Sequence, residues 1–78
     1  MSAARANGLD PHWKVRVVMR GGQCLHFASR SEPSCRYDPE TGLLAAITMD
    51  TITAPEYGDT PGYMCYADVA AVSWRYAP

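Results

Sequence analysis

The sequence predicts an all-β protein with at most one short helix, folded as a small barrel or a rolled antiparallel sheet of five to six strands. Apolar and polar residues largely alternate from Trp13 to Arg20, which is the period of a half-buried strand. Turn-forming pairs such as Gly21-Gly22 and Pro61-Gly62 divide the chain into short segments. Because no long segment repeats its apolar residues at helical spacing, the stretches between turns are predicted to be strands.

The 78 residues fit one domain. Residues 1–12 are small, polar or turn-forming, so we expect a flexible N-terminal arm followed by a single small β domain at residues 13–78. A chain of this length buries only about 60% of the surface that its unfolded form exposes. Homo-oligomerisation is therefore expected to be possible, because small folds often gain stability from subunit contacts.

The alternating segment and the apolar residues after the glycine pair are predicted to form a hairpin. A two-residue turn at Gly21-Gly22 would set Arg16 opposite Phe27 and mix charge with core. A three-residue loop at residues 20–22, with a glycine in the left-handed conformation, removes this conflict. It pairs core residues across the strands, Val15 with Phe27 and Val17 with Leu25. The outer face then carries Lys14, Arg16, Val18, Cys24 and His26.

A second turn is predicted around Asp38, Pro39 and Gly42. The aspartate side chain accepts backbone hydrogen bonds, the proline fixes φ, and the glycine allows a positive φ. Residues 37–42 (YDPETG) resemble the turn of chignolin, a designed hairpin peptide, and the resemblance implies a turn and no function. The expected cross-strand pairs are Tyr37 with Leu43 and Cys35 with Ala45. One face of the next strand is expected to carry Leu43, Ala45, Ile47 and Met49.

The C-terminal third is less regular. Thr53 and Glu56 stand at capping-box spacing and Gly58 follows as a stop, which predicts one short helical turn. The residues after it are divided into a strand at 63–66, a corner at Ala67-Asp68 and a last strand at 70–76. Asp68 also fits the N-cap of a two-turn helix, so helix and strand both stay open for the end of the chain.

The order of these elements resembles that of the SH3-like and Sm-like small barrels. The resemblance lies in a long first hairpin, a middle strand, and "YADVAAVSW" as strand, single-turn corner and closing strand. It implies an SH3-like barrel. No Sm sequence motif is present, so the RNA-binding residues of that family are not transferred to any position of this chain.

The charge distribution and the cysteine content indicate the kind of partner and the cellular compartment. Residues 1–37 hold six Lys or Arg against two Asp or Glu (+4), and residues 38–78 hold one against six (−5), which favours docking on an acidic partner or on a second copy. The three cysteines are in no C-x-x-C spacing and no secretion leader is visible, so reduced thiols and a cytoplasmic protein are expected. No apolar run is long enough for a membrane span.

No arrangement of residues predicts catalysis, a cofactor or a metal site. Ser29 is the only hydroxyl residue near His26, and no nucleophile elbow surrounds it. Cys24 and His26 point outward together, whereas Cys35 is predicted to face the core, so the ligands that zinc needs diverge. We therefore expect a protein that is not an enzyme and that holds no metal.

Two groups of residues are predicted to bind a partner. The first group shares the basic side of the first hairpin and comprises Lys14, Arg16, Arg20 and His26. The second is a set of tyrosines, too many for a small core to bury, and comprises Tyr57, Tyr63, Tyr66 and Tyr76. The tryptophans Trp13 and Trp74 are the best candidates for burial.

Composition adds a further resemblance. Its size, its high content of Ala, Arg, Gly and Pro and the form "V-x-V-x-x-(x)-G … V-A-A-V" resemble the small orphan proteins of actinobacterial phages and mobile elements. This resemblance implies a non-catalytic accessory protein in the bacterial host cytoplasm that inhibits or modulates a host protein. The alternatives are a minor virion or assembly protein and a small-barrel protein that binds nucleic acid.

Overall fold

The computed structural model describes residues 10–54, 57–58 and 64–78. They include six strands and a 3-10 helix that precedes the last strand. In chain order these are β1 (His12–Met19), β2 (Cys24–Ser29), β3 (Ser34–Tyr37), β4 (Leu44–Thr48), β5 (Thr51–Ile52), the 3-10 helix (Tyr66–Asp68) and β6 (Val69–Ala77). The predicted all-β class is confirmed.

The strands form two antiparallel sheets and do not close into a barrel. The larger sheet has the order β5-β2-β1-β6, and the smaller one pairs β3 with β4. The first strand begins at His12, which is buried, so the last residue of the predicted arm belongs to the sheet. Residues 1–9 of that arm lie outside the described residues. In the described part of the chain, no helix has the length and apolar character needed to cross a membrane.

The first hairpin confirms the three-residue loop. Val15 lies opposite Phe27 and Val17 opposite Leu25. The Met19 amide donates to the Gln23 carbonyl at 2.8 Å, which leaves residues 20–22 as the loop. Gly22 has a φ of 95°, the left-handed conformation that this loop requires.

The end of the chain is a strand, and the helical alternative is wrong. β6 pairs with β1 along its whole length, with one irregularity between Val18 and Met19. The predicted corner is present as the 3-10 helix, whose Asp68 carbonyl accepts from the Arg20 amide at 2.7 Å. The predicted strand at 63–66 is wrong in its described part, because residues 64–65 are not in a strand and Tyr66 begins the 3-10 helix. Tyr63 lies outside the described residues.

The second turn forms as predicted, but the two strands that it joins pair differently from the prediction. The Asp38 carboxylate accepts from the Glu40 amide at 2.8 Å, and Gly42 has a φ of 72°. The predicted pairs are wrong, since Tyr37 lies opposite Leu44 and Cys35 opposite Ile47. The turn itself pairs Asp38 with Leu43 and so sets Tyr37 opposite Leu44, which is buried. A bulge at the exposed Ala45 then shifts the partner of Cys35 by one further residue.

The connection after β5 contains part of the predicted helical turn. The Tyr57 amide donates to the Ala54 carbonyl at 2.9 Å, and Gly58 follows with a φ of 85°. Glu56, the second half of the predicted capping box, lies outside the described residues.

The core lies between the two sheets and centres on β1. Val15 and Val17 are fully buried and form one cluster with Phe27, Leu44 and Val69. Because successive residues of a strand point to opposite faces, the even-numbered residues of β1 lie on the outer face of the larger sheet. β1 has a paired strand on each side, so its outer face is the floor of a surface shared by three strands.

Candidate functional site

A cleft of about 520 Å³ opens on the outer face of the larger sheet. It is lined by residues from the three strands β2, β1 and β6. These residues are Lys14, Arg16, Cys24, His26, Ser73, Trp74 and Arg75. Its volume is in the range of sites that hold small organic molecules.

The strand register explains why cations meet in this cleft. Lys14 lies directly opposite Arg75, and Arg16 lies between His26 on β2 and Ser73 on β6. Directly opposed residues of antiparallel strands have Cβ atoms about 4.5–5.5 Å apart. The two rows therefore bring three permanent cations and one histidine onto a single patch of sheet.

None of the described carboxylates forms an ion pair with these three cations. The nearest partner of Arg16 is the Cys24 sulfur, 3.7 Å from its Nη2 atom. A neutral thiol is a weak acceptor, so this contact orients the guanidinium without balancing its charge. Arg30 is different, because its guanidinium forms an ion pair with the Asp50 carboxylate at 3.3 Å, next to the pairing of β2 with β5.

His26 carries a polar atom without a partner. Its Nδ1 is buried and makes no hydrogen bond within the described structure. Burying an N–H without an acceptor is costly, so the neutral ring is expected to carry its proton on Nε2. The sequence predicted a solvent-facing side chain, whereas the structure places His26 half-buried in the wall of the cleft.

Beside Lys14, a hydrogen-bonded pair of rings lies next to the cleft. The buried His12 donates from Nδ1 to the Asp10 carbonyl at 2.8 Å, and its Nε2 is hydrogen-bonded to the Tyr57 hydroxyl. The Lys14 ammonium lies 5.3 Å from the centre of the Tyr57 ring, which is cation–π distance. Ala28, opposite Lys14 on β2, is buried at the same level of the sheet.

The predicted partner-binding residues separate into two groups. Lys14, Arg16 and His26 line the cleft, and Tyr57 borders it. The others lie elsewhere or outside the described residues. Arg20 donates from Nε to the Ala67 carbonyl at 3.1 Å, Tyr66 packs on the core, Tyr76 packs edge-on against Trp13, and Tyr63 is not described.

The sequence analysis did not include Arg75, Ser73 or Trp74 in the site. Their signal was the alternation along β6, where Val72 and Trp74 lie opposite the buried valines of β1. Ser73 and Arg75 then point to the other face, where the basic residues of β1 are. Trp74 packs against the core and also lines the cleft.

Two groups of the smaller sheet have shifted pKa values. Burial raises the pKa of the Cys35 thiol, and a hydrogen bond with Tyr37 offsets part of this rise. Desolvation also raises the pKa of Tyr37. The charge of Cys35 and the hydrogen bond with Cys35 raise it further. The cysteines Cys24, Cys35 and Cys65 are free thiols. In the described part of the chain, no three or more His, Cys, Asp or Glu residues are grouped so that they could hold a metal ion.

Comparison with known proteins returns no relative. No family model, curated protein or solved structure matches this chain. Functional inference therefore depends on the chemistry of the cleft.

Proposed function

We propose that this chain is a non-catalytic binding module that holds an acidic segment of a partner protein in the cleft. The observation that carries the proposal is the direct opposition of Lys14 and Arg75, with Arg16 adjacent and no ion pair to a described carboxylate. Like charges facing each other across strands destabilise a sheet, and residues that break a local stability rule are often found at functional sites. An acidic segment would remove the repulsion and be attracted from a distance.

The proposal also names the kind of partner and the compartment that the composition indicates. The partner is a bacterial host protein, which this chain inhibits or modulates in the cytoplasm as phage-type accessory proteins do. The free cysteines support a reducing compartment. The pairing of β6 with β1 and the 3-10 corner before β6 support an open relative of the SH3-like barrels.

Affinity capture from a bacterial lysate, treated with nuclease, tests the proposal. The bait proteins are the wild-type chain, the cleft variant Lys14→Glu and the control Arg36→Glu, whose exposed side chain lies on β3 in the other sheet. We expect the wild-type and control chains to retain the same protein in stoichiometric amount, and 0.5 M NaCl to release it.

Three outcomes would contradict the proposal. One is retention of the same protein by Lys14→Glu, which would move the binding surface away from the cleft. Another is the loss of every partner after nuclease treatment. The third is copurification with phage particles without a host protein, which is the behaviour of a minor virion protein.

A second candidate function is binding of single-stranded nucleic acid. Tyr57 beside Lys14 supplies an aromatic ring of the kind that such surfaces combine with cations. Fluorescence anisotropy with labelled oligonucleotides tests it. This function predicts binding whose logarithmic affinity falls linearly with the logarithm of salt concentration, and a shallower slope in Arg75→Gln. Absence of binding at 50 mM salt would exclude it.

A further inference from the structure

We infer that the cleft is built for one phosphomonoester dianion, carried by a phosphorylated side chain of the acidic partner segment. This inference rests on the proposed function and specifies the chemistry of the partner. A phosphomonoester carries a charge of −1.5 to −2 at neutral pH on three strong acceptor oxygens. The structure offers a matching set of donors within one concave site.

The positive charge is compact. Lys14 and Arg75 form one cross-strand pair, and Arg16 belongs to the next outward-facing row of the same sheet. Carboxylates of a peptide are single charges on separate residues, and a matching surface would spread its cations along the peptide. Three cations within two rows instead match a single group with two negative charges.

Residues without a permanent charge flank this cluster along the strands. On one side, the Tyr57 ring lies beside Lys14 and contacts the buried His12. On the other side, the next row of the sheet consists of Cys24, Val18 and Ala71. A polynucleotide needs a positively charged groove that follows successive phosphates. The bounded cluster therefore favours one isolated phosphoryl group over a nucleic acid strand.

The donors differ in kind and suit a tetrahedral anion. Arg16 and Arg75 offer planar guanidinium groups that bind two oxygens at once, and Lys14 offers a mobile ammonium. Ser73 lies opposite Arg16 and contributes a hydroxyl, and the expected Nε2 proton of His26 lies on the other side of Arg16. At about 520 Å³ the cleft also has room for the residue that carries the phosphoryl group.

Titration of the ¹⁵N-labelled full chain by NMR tests the inference with two probes. Phenyl phosphate is a dianionic monoester, and dimethyl phosphate is a diester with one charge. We expect phenyl phosphate to shift the amides of β1 and β6 around the cleft and to bind at least tenfold more tightly than dimethyl phosphate. Arg16→Gln is expected to weaken phenyl phosphate about tenfold, and Arg36→Gln to leave it unchanged.

Equal binding of the two probes, or equal effects of the two variants, would overturn the inference. Phosphatase treatment of the lysate separates its failure from that of the proposed function. If dephosphorylation releases the captured partner, the phosphoryl site is supported. If the partner stays bound after dephosphorylation and is still lost in Lys14→Glu, the acidic-segment proposal stands and the phosphoryl inference is wrong.

Discussion

Replacing Arg75 with glutamate should stabilise the fold and abolish binding. In the native chain Arg75 faces Lys14 on the same face of the sheet, and no described carboxylate pairs with either cation. The variant places a carboxylate opposite the ammonium, so a repulsive cross-strand pair becomes an attractive one. Few exposed substitutions are expected to raise the free energy of unfolding, which makes the direction of the effect diagnostic.

The expected size follows from the exposure of the pair. Arg75 is exposed and Lys14 half-buried, so solvent screens both the repulsion that is lost and the attraction that is gained. Each contributes a few tenths of a kcal/mol, and together they are expected to raise the free energy of unfolding by about 0.5 to 1 kcal/mol. For a chain of this size that corresponds to an increase in Tm of about 2 to 8 °C.

Urea unfolding followed by circular dichroism measures the effect at low salt and in 1 M NaCl. Since the Debye length is only about 3 Å at 1 M salt, the advantage of Arg75→Glu should shrink there. The matched control is Arg36→Glu, which makes the same change of net charge at an exposed position of β3. A destabilised Arg75→Glu, or one that behaves like the control at both salt concentrations, would refute the reasoning from cross-strand repulsion.

Three further predictions concern the surrounding structure. Gly22→Ala forces an alanine into a φ of 95° and should cost about 1 to 2 kcal/mol in urea unfolding, whereas Gly21→Ala, with open space and no positive φ, should be nearly neutral. Tyr57→Phe leaves the buried His12 Nε2 without its hydrogen-bond partner and should cost about 1 to 2 kcal/mol in the same assay, and an unchanged midpoint would show that this bond adds nothing. Because burial raises the pKa of Cys35 above its ordinary 9.0, the contribution of its protonated thiol to stability is complete below pH 9 and is lost as pH rises through the raised value. Cys35→Ala should therefore unfold with a weaker dependence on alkaline pH, and an identical pH profile would contradict this.

The two hairpins show why the sequence predicts one register and misses the other. In the first hairpin, Val15, Val17 and Phe27 alternate with charged or polar residues, so a slip by one residue is unfavourable and the pairing is well defined. In the second, Leu43 and Leu44 are identical, as are residues 45 and 46, so both faces of β4 are similarly apolar. Nothing local then indicates the bulge, which is stabilised by contact of Leu44 with a core built elsewhere in the chain.

The candidate site was predictable in the part that belongs to one hairpin. Lys14, Arg16 and His26 are local neighbours, and their shared face follows from strand alternation. Arg75 lies some sixty residues further along the chain, and it reaches the cleft only because β6 pairs with β1 in one register. The sequence left strand and helix open for that segment, so the third cation and the concave shape were not accessible from local pattern.

The central position of β1 has a consequence for how this chain tolerates change. Its odd-numbered residues Val15 and Val17 fill the core, and its even-numbered residues Lys14 and Arg16 line the cleft. Inserting or deleting one residue within this strand would move core side chains to the cleft face and cleft side chains to the core, and so would destroy folding and recognition together. β6, in contrast, has a neighbour on one side only, so point changes at Ser73 or Arg75 alter recognition while the interior stays intact. Natural variation in partner choice is therefore expected to accumulate at the C-terminal strand.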